Sequence, residues 1–260
     1  MCPTIKIFNR EIAMYGTCIL VGLIIGIFLA TKRSKKNELN KEDVLYASLL
    51  GAVGIGVGGK ILYLITIAKP LWENRTILFE QKALLYKVLQ GGFVFYGGLF
   101  GAFIAIWIYC RAYHINSENM FLAILPSVPL IHAFGRIGCF CAGCCYGIPY
   151  DGLGHIVFEK SQVAPLGIPL FPVQLVESVW NFLLFVILEI VVQKTKSIRI
   201  SIASYMLGYG IMRFCLEFFR GDAGRGFIGR LSTSQWISVC LVFGAIIILV
   251  KRKRNVDKDE

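Results

Sequence analysis

Gly135-Arg136-Ile137-Gly138-Cys139-Phe140-Cys141-Ala142-Gly143-Cys144-Cys145-Tyr146-Gly147 follows directly on the apolar run Met120–Phe134. An always-charged guanidinium and four thiols therefore stand where a membrane span should meet its headgroups. Arginine at that depth is costly unless it faces a partner, a wet cavity or an anionic ligand. A phosphodiester head suits its planar fork of donors. Around this run the chain is 56% hydrophobic and only 17% charged, a balance that excludes an ordinary soluble domain.

Seven apolar segments can be marked, at about Ile12–Ala30, Val44–Ala68, Gly91–Cys110, Met120–Phe134, Leu175–Val192, Ile200–Phe219 and Leu231–Val250. Most reach the roughly 20 residues that a helix needs to cross hydrocarbon. The fourth is short and carries Pro126 and Pro129, which predicts a kinked, partly re-entrant helix ending near Arg136. Lys6 and Arg10 precede the first span as in a signal peptide. No small-residue cleavage site follows it, and the basic block Lys32-Arg33-Ser34-Lys35-Lys36 reads as a stop-transfer flank. The expectation is an all-α membrane protein, one integral membrane domain over residues 1–260 with about seven transmembrane helices.

Orientation follows from the loops. With the N-terminus outside, the inner loops and tail carry fourteen Lys and Arg against eleven outside, and the dense clusters at Lys32–Lys36 and Lys251–Arg254 fall inside. An N-out, C-in topology is predicted, with residues 69–90 and 148–170 as extracytoplasmic arms; Pro165 and Pro169 predict an ordered, non-helical course in the second. The net charge of +11 reflects this flanking. Basic residues dispersed between spans, with no soluble basic domain, exclude a nucleic-acid binder.

On that topology the intramembrane polar residues gather at the outer side: Tyr15, Lys60, Tyr96, Arg136, Gln174 and Glu177. In the sixth segment Tyr209, Arg213, Glu217 and Arg220 recur at intervals of four, four and three, one helical stripe. A one-sided polar basin suits an enzyme whose lipid substrate comes from the outer leaflet, whereas a transporter wants its site near the midplane. Gly54-Ile55-Gly56-Val57-Gly58-Gly59 reads as helix packing rather than a phosphate cradle, because no strand precedes it and no Lys-Ser/Thr pair closes it.

Six blocks in order resemble the bacterial prolipoprotein diacylglyceryl transferases. They are Met14-Tyr15-Gly16; Gly91-Gly92-Phe93-Val94-Phe95-Tyr96-Gly97-Gly98; Gly135-Arg136-Ile137-Gly138 through Gly147; Pro172-Val173-Gln174-Leu175-Val176-Glu177; Gly208-Tyr209-Gly210-Ile211-Met212-Arg213-Phe214 through Arg220; and Leu231-Ser232-Thr233-Ser234-Gln235. The resemblance implies a multi-pass enzyme of the bacterial cytoplasmic membrane. Its reaction moves the diacylglyceryl group of phosphatidylglycerol to the lipobox cysteine thiol of a prolipoprotein, forming a thioether and releasing glycerol phosphate. The partners implied are phosphatidylglycerol, the lipobox segment and the bilayer; no cofactor and no metal are called for.

Such a reaction needs the phosphate held, charge on the leaving oxygen stabilised and the thiol deprotonated. Arg136 and Arg213 are assigned the first two tasks. Tyr209, Tyr15, Gly98, Gly147, Gln174, Glu177 and Glu217 are assigned to substrate binding, Glu217 by orienting Arg213 from one turn away. The plainer reading of Glu177 is a local cap or pair. The family's usual histidine in the second block is Tyr96 here, the loop's usual asparagine and glutamate correspond to Cys139 and Cys144, and the usual histidine before Pro172 is Phe171. Tyr96 and His132, the latter one turn before Arg136, are therefore the candidate groups for handling the proton.

Two other classes stay open. Cys141-Ala142-Gly143-Cys144 has the spacing of a redox pair, so a membrane thiol oxidoreductase using the Cys139–Cys145 cluster is one alternative. A non-catalytic lipid transporter is the other. The simplest account of the cysteines is small apolar residues packing a tight loop, or one structural disulfide; four thiols this close lack the two separated pairs of a structural zinc site.

Overall fold

The structure is a computed structural model and describes residues 3–7, 10–76, 86, 88, 91–161, 163–222 and 226–259; for residues 6, 7, 10 and 252–259 it describes the backbone alone. Strands β1 (Thr4–Ile7) and β2 (Arg10–Ala13) form a hairpin that runs straight into α1 (Met14–Arg33). Next come α2 (Lys41–Thr66), α3 (Ala68–Glu73), α4 (Phe95–Ala112), α5 (Ser117–Ile124) and α6 (Ser127–Ala142). Two short strands, β3 (Ile156–Val157) and β4 (Pro169–Leu170), lie in the second arm; α7 (Val173–Thr195), α8 (Ile198–Leu216), a β5 (Phe227–Ile228) and β6 (Leu231–Ser232) hairpin, and α9 (Thr233–Asp259) follow.

Six helical stretches among the described residues are long and apolar enough to cross a membrane: 14–37, 41–66, 95–112, 117–142, 173–195 and 233–251. The one expected segment not among them is the sixth, α8, a 19-residue helix that carries Arg199, Ser201, Ser204 and Arg213 and so falls outside that set. The protein is a multi-pass membrane protein. Its burial pattern is that of a chain with a bilayer for solvent: Leu20, Ile24 and Phe28 on α1 are exposed, while Gln174, Glu177 and Asn181 on α7 are fully buried.

The fourth span has the expected kink but runs on past its expected end. The chain breaks only at Leu125-Pro126 and then stays helical to Ala142, giving a 26-residue crossing. Arg136 is thus inside a helix, not at its end. Pro129 falls in the first turn of α6, where its missing N–H would have had no helical partner, and so it is tolerated. Gly143 then stops the helix with φ 71° while Cys144 N–H donates to Cys139 C=O, the 6→1 closure of a Schellman motif.

By packing, residues 1–30 with 121–260 form one unit and 31–120 another. In the second unit α2 and α4 cross through glycines: a Cβ on Gly54 would sit 2.5 Å from the Gly101 carbonyl oxygen, and Gly58 meets Gly97 in the same way. The Gly54–Gly59 run is therefore a packing surface, as its sequence suggests. Lys60 donates to the carbonyls of Val88 (2.8 Å) and Gly91, tying down the backbone before α4. Tyr109 Oη donates to Asp43 Oδ1 at 3.0 Å toward the other end of the pair.

In the first unit α1 lies along α6. Gly22 abuts Phe134, Gly26 abuts Ile131, and Gly138 takes the Tyr15 backbone, whose Cα would be 3.0 Å from an added Cβ. Ser127 Oγ donates to Gly26 C=O at 2.7 Å. The second arm is ordered and largely non-helical, in line with Pro165 and Pro169. Phe158, Ala164 and Leu170 form its core, with Phe140, Tyr146 and Ile156 packed against them.

A helix crossing this close leaves no room for side chains. Gly54→Leu should lower the unfolding temperature in detergent, overpacking costing about 1–3 kcal/mol. Gly56→Leu, on the exposed face with nothing within 4 Å of an added Cβ, should leave it unchanged.

Candidate functional site

Chain direction alone brings the polar residues of the first unit to one end. α6 arrives there, α7 leaves, α8 arrives and α9 leaves, so Arg136 near the end of α6, Gln174 and Glu177 in the first turns of α7, Arg213 late in α8 and Ser234 at the start of α9 meet. At their centre is Glu177, whose side chain is completely buried. Arg136 Nη2 lies 2.8 Å from Glu177 Oε1, and Arg213 Nη1 lies 3.9 Å from Glu177 Oε2. One carboxylate thus stands between two guanidiniums from different helices.

Each guanidinium has its own surroundings. Arg213 Nη2 pairs with Glu217 Oε2 at 2.8 Å, one turn along the stripe, and donates to Ser234 Oγ at 3.1 Å. Arg220, also buried, grips Asp222 through Nε (2.9 Å) and Nη2 (2.5 Å). The Arg136–Glu177 contact is an ion pair without an aligned N–H···O bond. Among the described residues, Arg136 Nε and Arg213 Nη1 have no hydrogen-bond partner although both are buried. Buried donors of this kind are suited to an anion with several acceptor oxygens.

The rest of the first unit's predicted residues gather around this pair. His132 Nε2 is 3.8 Å from Glu177 Oε1, and its ring packs on Tyr209 with centroids 5.4 Å apart. Gln174 Nε2 donates to the Cys144 carbonyl at 2.8 Å, pinning the loop after α6 to α7. Tyr15, at the start of α1, lies within electrostatic reach of Arg136, Cys139 and Cys144. Gly147 pairs with Arg220 in an isolated β-bridge and lies against the Phe171 backbone, so it serves close packing of the loop. Phe171 stacks on Phe219 at 4.8 Å, an aromatic wall beside this loop.

Tyr96 and Gly98 belong to the other unit. Tyr96 is in the first turn of α4, edge-on to Phe95 at 5.8 Å, and Gly98 is buried under Phe93 and Ile55. Gly98 is a packing glycine of the α2–α4 pair.

Three contributors lie outside the residues that the sequence singles out. Ser234 stands in the chain only as part of the last block, and its signal is the capping box Ser232-Thr233-Ser234-Gln235: Gln235 N–H donates to Ser232 Oγ (3.2 Å) and Ser232 N–H to Gln235 Oε1 (2.9 Å). That box fixes the first turn of α9, which carries Ser234. Ser178 Oγ donates to Ala133 C=O at 3.0 Å and Asn181 Nδ2 to Glu177 C=O at 2.7 Å, seating α7 on α6 and bracing its own turn. Glu177 itself is the hub, a larger part than a local cap or pair.

The loop thiols also sort themselves spatially. Cys139, Cys144 and Cys145 have all Sγ atoms within 4.8 Å of one another, while Cys141 is turned to Cys18. The Cys141–Cys144 redox pair suggested by spacing is not the pair that the fold assembles. Thiol donors from Cys139 and Cys144, with Arg136 and Arg220 nearby, hold the Cys145 thiol well below the ordinary thiol range.

The chain is thus, as a class, a multi-pass membrane protein with two guanidiniums from different helices converging on one buried carboxylate. The chain belongs to the prolipoprotein diacylglyceryl transferase family, whose model matches residues 3–251. It is 37% identical over 252 residues to the phosphatidylglycerol–prolipoprotein diacylglyceryl transferase of Clostridium tetani, covering 96% of this chain and 97% of that one. A similar enzyme of Clostridium perfringens is 35% identical (94% and 92% covered), and that of Streptococcus suis 29% identical (96% and 92% covered).

Removing the shared carboxylate strands Arg136 and leaves Arg213 with Glu217 alone. Glu177→Gln should destabilise the protein by about 3–5 kcal/mol in denaturant titrations in detergent. Ser232→Ala, which removes the capping hydroxyl, should cost about 1 kcal/mol by the same measurement.

Proposed function

We propose that this protein is the transferase that moves the diacylglyceryl group of phosphatidylglycerol to the lipobox cysteine of prolipoproteins, at the outer face of the bacterial cytoplasmic membrane. The observation that carries the reading is the convergence of Arg136 and Arg213 on Glu177, on a chain whose relatives bear that enzyme's name over nearly their whole length.

In the reaction the thiol sulfur attacks the phosphate-bearing CH2 of the diacylated glycerol. A C–S bond forms, the C–O bond breaks, and glycerol phosphate leaves with the electron pair on its oxygen. The thiol proton passes to a base and finally to solvent or product. Arg136 and Arg213 stabilise the charge that grows on the departing phosphate oxygen; their donors are already oriented in a low-dielectric site, so little reorganisation opposes them. Glu177 keeps the guanidiniums apart and counter-charged until the lipid phosphate takes up their unused N–H groups. Glu217 and Ser234 fix Arg213, and Gln174 holds the Cys144 loop.

His132 is the proposed proton acceptor, since it borders Glu177 and sits one turn from Arg136. The N-out, C-in orientation belongs to the same proposal, because it puts the polar end where lipobox segments emerge.

Purified protein in detergent, given phosphatidylglycerol and a lipobox peptide, should yield the thioether peptide and glycerol phosphate by mass spectrometry. Arg136→Gln and Arg213→Gln should each lower kcat/KM by about 10²–10³-fold. His132→Ala should lower kcat by about 10²-fold or more with little change in lipid KM; full activity would remove His132 from the proton's path. Intact lipid after incubation with the wild-type protein would reject the transferase reading.

A further inference from the structure

Three thiols on one short turn form a cluster that the transfer reaction does not use. The Schellman closure at Gly143 swings Cys144 back over the last turn of α6, where its N–H bonds Cys139 C=O at 3.1 Å and its Sγ approaches the same oxygen at 3.7 Å. Cys145 then adopts φ 55°, a left-handed conformation that a residue with a Cβ rarely takes, and this directs its thiol to the same point. The three Sγ atoms end within 4.8 Å of one another, Cys139 buried and the other two half-buried. Gln174, through its bond to Cys144 C=O, locks the turn to α7.

We propose that Cys139, Cys144 and Cys145 form a three-coordinate thiolate site for a soft monovalent cation, Cu(I) being the natural occupant. Sulfurs bound at about 2.3 Å to one ion in a trigonal plane stand about 4 Å apart. The cluster therefore has to contract by roughly an ångström or less, within the reach of side-chain rotation. Thiolate donors favour soft ions, Cu(I) and zinc among them. Zinc in a structural site wants a fourth protein ligand, and among the described residues no His, Cys, Asp or Glu joins the three. Binding displaces the thiol protons, so a trithiolate–Cu(I) centre carries a net charge of about −2; Arg136 and Arg220, each also paired with a carboxylate, lie within electrostatic reach of it. The sequence spacing argues against a structural zinc site because it lacks two separated pairs. The fold replaces paired spacing with a turn that brings three sulfurs together. The site does not depend on the transfer reaction, and its test does not use it.

The test is anaerobic titration of the reduced, full-length protein in detergent with Cu(I), in competition with a chromophoric Cu(I) chelator, followed by X-ray absorption at the copper edge. One Cu(I) per chain with three sulfur neighbours is expected. Cys139→Ser, Cys144→Ser and Cys145→Ser should each weaken binding by at least the roughly tenfold that loss of a supporting group costs, and Cys141→Ser should leave it unchanged. Two sulfur neighbours, loss of binding in Cys141→Ser equal to that in Cys144→Ser, or wild-type affinity in the three cluster variants would each overturn the proposal. So would a disulfide among the three in the reduced preparation. The wild-type absorption measurement stands even if a serine variant fails to fold.

Discussion

A single carboxylate decides how this bundle is put together at its polar end. Glu177 is fully buried and faces Arg136 from α6 and Arg213 from α8. Each of the three would be severely destabilising alone in hydrocarbon, because an unpaired ion in a low-dielectric interior loses several kcal/mol of hydration with nothing to replace it. Together they are tolerated. Helices α6, α7 and α8 are therefore bound to one relative placement, and the small-residue contacts of α1 with α6 and the capped start of α9 fit around it.

The same cluster links stability to chemistry. A fully neutralised and hydrogen-bonded ion cluster is inert, whereas this one keeps buried guanidinium N–H groups without hydrogen bonds among the described residues. Buried donors without acceptors cost free energy, and acceptor oxygens brought to them recover it. The surrounding groups share a pattern: Glu217, Ser234, Gln174 and Asn181 fix the turns that present the two guanidiniums. Arg220 with Asp222 is a separate bidentate pair whose backbone, through Gly147, closes the loop over the same end.

Much of this is legible in the chain. The alternation of apolar segments and basic flanks requires a multi-pass helical protein, since only helices or closed barrels satisfy the backbone in lipid. The four, four and three spacing of Tyr209, Arg213, Glu217 and Arg220 puts those residues on one stripe, and the Arg213–Glu217 pair is the outcome. The kink of the fourth span is legible in Pro126, whereas its length is not, because a polar run from Arg136 onward marks an end when only neighbours are weighed. In the structure Pro126 and Pro129 fall at a helix start, and Gly138 is covered by the Tyr15 backbone, so α6 continues through Arg136. Ser234 is hidden for a related reason. A serine at the start of a helix reads as a cap, and its contact becomes visible only when Arg213 arrives from another helix.

Hydropathy and helical periodicity act between near neighbours, so the order of residues was enough to establish the membrane class, the succession of spans and which side chains carry charge. Three-dimensional packing was needed to make Glu177 a hub instead of a local cap, and to bring Cys139, Cys144 and Cys145 together instead of the Cys141–Cys144 pair. The reason is that the cost of a buried charge, and the chemistry of a thiol, are set by the groups that surround it in space. Arg136, Glu177, Arg213 and Ser234 reach one another across long stretches of chain, and the thiols meet through a left-handed turn at Cys145. Neither arrangement is written in the spacing of adjacent residues.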